Sequence, residues 1–109
     1  MATTYKVLGQ SNPAATTATT LYTVPSATQA VVSTIVIANQ TAVAATFRIA
    51  VRPAGASLAA QHYVAYDITV GASDSTALTL GITLGATDVI TVYGSTATLS
   101  FAAFGSEIA

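Results

Sequence analysis

Runs of Thr, Val and Ile, cut at short intervals by Gly, Pro, Asn and Asp, dominate this 109-residue chain. β-branched side chains are stiff at χ1 and suit a pleated surface. The chain has one Glu and one Lys, so the usual exposed faces of helices are missing. Short β-prone segments at this spacing are the pattern of an antiparallel sandwich or barrel. The length allows one domain. The expected fold class is therefore all-β: a single-domain antiparallel β-sandwich, Ig-like or jelly-roll, of about eight strands.

The predicted strands are Thr4 to Leu8, Thr20 to Val24, Ala30 to Ala38, Ala45 to Arg52, Gln61 to Val70, Thr76 to Leu84, Val89 to Tyr93 and Thr98 to Phe104. Gly9 to Thr19, rich in Pro, Ala and Thr, reads as a loop or extended arm, so that residues 1–19 form an N-terminal strand and arm. Ala30 to Ala38 is the strongest strand. Alternation puts Val31, Ser33, Ile35 and Ile37 on one face and Val32, Thr34 and Val36 on the other. Apolar residues on both faces predict a central strand covered on both sides. In Ala45 to Arg52, Phe47, Ile49 and Val51 point one way, Arg48 and Arg52 the other. Gln61 to Val70 is expected to bend near Tyr66, and Gly81 to mark a bulge or close approach within Thr76 to Leu84. Leu58 to His62 has room for one short helical turn.

Charge is the second constraint. Hydrophobic residues make up 52% and charged residues 6%, against about 25% charged in ordinary domains. Such a chain folds rather than staying open. A monomer of this mass exposes about 5,600 Å², and its seven charges (three basic, four acidic) leave roughly one per 800 Å². One partner's share of a standard interface is also about 800 Å², and interface cores are depleted in charge. The surface therefore reads as one built for assembly, against the alternative of a neutral Thr/Ser/Ala surface facing water. Three basic residues and a net charge of −1 do not suit a nucleic-acid binder. No membrane span is expected, because Pro13, Pro25 and scattered polar residues interrupt the apolar stretches. No leader is read after Lys6, which points to synthesis and assembly in a cytoplasm.

No constellation points to catalysis. There is no Cys, which excludes thiol chemistry, disulfides and Cys-based zinc sites. The lone His62 and Asp67 fall on opposite faces of an ideal strand, and no Gly-x-Ser-x-Gly sequence accompanies them. Asp74 and Asp88 sit in turns with Gly, Ser and Thr, where Asp bonds nearby backbone N–H groups. Neither belongs to a Ca²⁺-ligand motif. No enzyme activity, cofactor or metal is expected.

The candidate interface residues are Arg48, Arg52, Tyr63 and Tyr66. The two arginines, four apart in a strand, project from one face about 13 Å apart. Their planar forks suit carboxylates of a neighbouring subunit; a solvated strand face is the alternative. Alternation puts Tyr63 with Asp67 on one face, and Tyr66 with His62, Val64 and Ile68 on the other. Tyrosines also suit stacking on a sugar, although Trp is absent.

The run from Leu21-Tyr22-Thr23-Val24-Pro25 through Ile35-Val36-Ile37-Ala38-Asn39 resembles a segment of small virion structural proteins of tailed bacteriophages, those of cyanophages and other marine phages above all. Ala45-Thr46-Phe47-Arg48-Ile49-Ala50-Val51-Arg52-Pro53, Gln61-His62-Tyr63 and Phe104-Gly105-Ser106-Glu107 look like the same group. The resemblance implies a non-enzymatic virion protein with no catalytic residues to transfer. A capsid decoration or cement protein is the leading expectation, bound to the major capsid protein or other virion proteins as a homo-oligomer, with a trimer favoured. The alternatives are a tail, baseplate or fibre-attachment component, and a carbohydrate- or receptor-binding module using loops such as Pro53 to Ala60.

Overall fold

The structure, a computed structural model, describes residues 2–109. It is a sandwich of two antiparallel sheets. The described residues form nine strands: β1 (Thr3–Ser11), β2 (Thr19–Thr23), β3 (Gln29–Asn39), β4 (Ala45–Arg52), β5 (Tyr63–Val70), β6 (Ser75–Leu78), β7 (Ile82–Leu84), β8 (Val89–Gly94) and β9 (Leu99–Ile108). Single 3-10 turns at Pro53–Gly55 and Ala60–His62 lie between β4 and β5. The first sheet runs β1-β9-β3-β6, with β7 also on β3; the second runs β2-β8-β4-β5.

This order resolves the two expected topologies. Strands pair from the outside in: β1 with β9, β2 with β8, β3 with both β6 and β7, and β4 with β5. Successive pairs alternate between the sheets. The arrangement is a long hairpin rolled on itself, which is the jelly roll and not the Ig-like order.

Apolar side chains from both inner faces meet in one core. Val32, Ile35, Ile37, Leu99 and Phe101 come from the first sheet, and Phe47, Ile49, Val70, Ile90 and Val92 from the second. Phe47 and Phe101 join the layers edge-to-face, with centroids 6.1 Å apart. Such pairs add about 0.5–1.5 kcal/mol beyond their area burial.

Four departures from the predicted strands share one cause, since ideal alternation omits bulges and pairing partners. In β3 the register slips between Val32 and Thr34 against β9. Ala30 and Val32 therefore face the core with Ile35 and Ile37, while Val31 does not. Ser33, the extra residue, is exposed and donates its hydroxyl to the Phe104 carbonyl at 3.1 Å. Only one side of β3 is covered by this chain, so the expected double cover is absent. The predicted strand Thr76 to Leu84 is two strands, broken where Gly81 adopts φ +63°; Leu80 at the break is exposed.

The other two departures lie at the ends of the chain. Of the region read as a loop or extended arm, Gly9 to Ser11 belongs to β1, which continues through Ser11 in pairing with β9, and residues 12–18 form a loop. That loop is tied down. Asn12 donates to the carbonyls of Ala97 and Leu99, and the Thr16 N–H to that of Gly94. β9 runs on to Ile108, four residues past the predicted Phe104, because it has β1 on one side and β3 on the other.

Candidate functional site

The outer face of the second sheet holds the densest group of chemically distinctive side chains. Arg48 on β4 lies opposite Tyr93 on β8. On its other side, β5 bulges: Phe47 pairs with Ile68 and Ile49 with Ala65, leaving Tyr66 and Asp67 against Arg48. Asp67 takes the left-handed conformation, φ +52°. Asp tolerates this better than most residues, and the bulge re-aims its carboxylate toward β4.

The result is an ion pair within one chain. Arg48 Nε donates to Asp67 Oδ1 at 2.7 Å and Nη2 to Oδ2 at 3.4 Å. The guanidinium carbon also lies 4.2 Å from the Tyr66 ring centroid and 4.4 Å from that of Tyr93, a double cation–π contact. The hydrogen bonds from Asp67 push the arginine's pKa up from its already high value. Tyr63 meets Tyr66 edge-on at 5.0 Å. Beside these rings, Leu58, Ala59, Ala60, Tyr63 and Tyr66 line an open hollow of about 500 Å³.

Three of the four predicted site residues therefore converge: Arg48, Tyr63 and Tyr66. Arg52 stands apart. Its Nε donates to Thr91 Oγ1 at 3.0 Å, and Nη1 to the carbonyls of Ala56 and Gly55 at 3.1 and 3.5 Å. It holds the turn after β4 in place. The carboxylate foreseen for Arg48 on a neighbouring subunit is here supplied by its own Asp67. Strict alternation placed Asp67 and Tyr66 on opposite faces, and the bulge corrects that. The position of Tyr93 opposite Arg48 depends on the β4–β8 register, which no local pattern encodes.

Asp74, Asp88 and His62 accept hydrogen bonds from backbone N–H groups. Asp88 accepts from the N–H groups of Ala54 and Gly85, both at 2.8 Å, and Asp74 from that of Ser75. Both act in turns, as their sequence neighbours predict. His62 Nδ1 accepts from the Ala59 N–H and closes the 3-10 turn. Among the described residues no three His, Cys, Asp or Glu side chains cluster as a metal site.

A second polar group links the two sheets at one end. Lys6 on β1 and Glu107 on β9 form an ion pair at 2.9 Å. Glu107 also accepts from the Tyr22 hydroxyl on β2 at 2.5 Å. Both charges lie on the inner side of the first sheet, in the rows of Val32 and Ala30. Hydrogen bonds from Tyr22 and Lys6 hold the Glu107 carboxyl below the usual range. Burial, followed by the bond to Glu107, raises the Tyr22 phenol above its own.

Comparison with known proteins adds no relative to this geometry: no family model, curated protein or solved structure matches the chain.

Proposed function

We propose that this chain is a non-enzymatic structural protein of a tailed-bacteriophage virion, acting as a decoration or cement protein on the capsid lattice. The observation that supports this best is the outer face of the β1-β9-β3-β6 sheet. Its strands contain only Lys6 and Glu107 as charged residues among those described, and both are turned to the inner side. What remains outside is a neutral sheet face that includes exposed Tyr5 and Val7. Jelly rolls are widespread in viral capsid proteins, and also in lectins; that is analogy from fold. The resemblance of Leu21 to Asn39 and of Ala45 to Pro53 to phage virion proteins points the same way.

The test is reconstitution. Purified protein is mixed with particles that lack it, and bound copies are counted after sedimentation. A copy number matching the capsid lattice supports decoration. One ring's worth of copies transfers the chain to the tail or baseplate. No binding to any particle overturns the proposal.

The tyrosine-walled hollow favours a second reading, a carbohydrate- or receptor-binding module. Tyr63 and Tyr66 stand at right angles beside it, and Tyr66 is 56% exposed. Aromatic rings so placed can stack on the apolar face of a sugar. A glycan array with the Tyr66→Ala variant as control checks this. Binding lost in that variant would establish the module, and no binding by the parent protein would remove it.

A further inference from the structure

Resting on the reading of this chain as an assembly subunit, we propose that the outer face of the first sheet binds a second copy of the chain, face to face about a two-fold axis.

Strand β3 supplies the first reason. Its sequence is apolar on both sides, as in strands covered twice, yet this chain covers only the side of Val32, Ile35 and Ile37. Val31 and Val36 remain half-buried on the other side. The cross-strand register builds the uncovered face in rungs: Tyr5–Ser106–Val31, Val7–Phe104–Thr34, Gln10–Ala102–Val36–Ala77, and Ser100–Ala38–Ser75. No ionisable side chain other than Tyr5 belongs to these rungs.

That neutrality suits one particular partner. In a two-fold interface the same patch meets itself. A patch with net charge would meet its own charge, and like charges facing each other repel. A neutral patch has no such penalty. The second sheet's outer face does not meet this condition, because Arg52 there has no carboxylate within ion-pair distance among the described residues.

Shape and size agree. Ala77 and Ala102, followed by Ala38 and Ser100, keep one half of the face shallow, while Phe104 on the central strand β9 stands higher in the other half; this relief is compatible with the ~10 Å approach of packed sheets. Tyr5, 83% exposed, stands at one end. A groove of about 410 Å³ at the other end is lined by Gln10, Val36, Ala38, Ser100 and Ala102, among others. A two-fold axis lying between the two faces and running across the strands directs each copy's Tyr5 toward the groove beside Gln10 of the other copy. Four strands and four rungs cover on the order of 500 Å² in plan. Side-chain relief takes the accessible area toward the ~600 Å² or more per partner of a specific interface.

The experiment is light scattering of the full chain on a sizing column, over a dilution series. The expected mass is about twice 10.9 kDa, not three times. Ala102→Asp and Ala102→Lys should each run as monomers with unchanged β-sheet circular dichroism, and mixing them should restore the double mass. If either variant fails to fold, Tyr5→Ala replaces it and should weaken the dimer about tenfold or more. A monomeric or trimeric parent protein, or variants that dimerise like the parent, would overturn the inference. Particle binding is scored separately. A monomer that still coats particles refutes the two-fold contact and keeps the structural role; a dimer that binds no particle does the reverse.

Discussion

Asp67 bonds Arg48 because its backbone is left-handed: at φ +52° it forms the bulge that turns its carboxylate onto the neighbouring strand, 2.7 Å from Arg48 Nε. The backbone and side-chain roles of Asp67 are therefore separable. Asp67→Gly should keep the bulge, since Gly enters this region freely. Asp67→Val should strain it by about 1–2 kcal/mol. Thermal denaturation should rank Val below Gly, although both variants lack the carboxylate. If the two melt together, the left-handed conformation at residue 67 carries no measurable strain.

The same bulge shows what the sequence could and could not reveal. Strand positions were legible because Thr, Val and Ile runs end at Gly, Pro, Asn and Asp, and Asp74 and Asp88 were legible as turn residues from their neighbours. Arg48 and Arg52 share a face as alternation requires. The contacts of Arg48 were not legible. They depend on the slip at Asp67 and on the register that brings Tyr93 alongside, and both are set by pairing between distant segments. The slip at Ser33 likewise exchanged Val31 for Val32 in the core. Local patterns specify strands; bulges decide which side chains they present.

Titration should follow the link between Tyr22, Glu107 and Lys6. The Glu107 pKa is lower folded than unfolded, so its contribution is complete above the ordinary value near 4.5. It is lost as pH falls through the folded value. The Tyr22 pKa is raised, so its contribution is complete below about 10 and fades as pH climbs further. Urea midpoints against pH should fall on both sides of a plateau. Glu107→Gln should flatten the acid limb, and Tyr22→Phe the alkaline one, lowering the plateau by about 2 kcal/mol for a hydrogen bond to a charged group. An acid limb identical in Glu107→Gln would assign acid sensitivity elsewhere.

Asn39, the last residue of β3, is buried and ties three segments together. Its Nδ2 donates to the carbonyls of Val43 and Gly71 at 2.9 and 3.2 Å, and its Oδ1 accepts from the Thr41 N–H. Asn39→Ala should cost about 2–3 kcal/mol, because buried carbonyls then lose their donor. Asn39→Asp should cost more, by replacing that donor with a charge in the same place. Chemical denaturation measures both; a loss below 1 kcal/mol for Ala would mean that water takes the amide's place.

Removing the first strand tests whether the N-terminal segment is an arm or a part of the fold. An arm can be cut without harm to the body it leaves. β1 instead pairs with β9 from Thr3 to Ser11 and places Leu8 in the core. Its loss would leave the long β9 as a bare edge, a template for pairing with other chains. Glu107 would also lose Lys6. Deleting residues 2–19 should therefore yield aggregated or unfolded protein, with the β-sheet circular dichroism minimum reduced. The milder Leu8→Ala variant should fold but lose about 2–3 kcal/mol, the lower part of the range for core leucines. A deletion variant that stays soluble with a full β-sheet spectrum would show that the remaining eight strands are a sufficient domain.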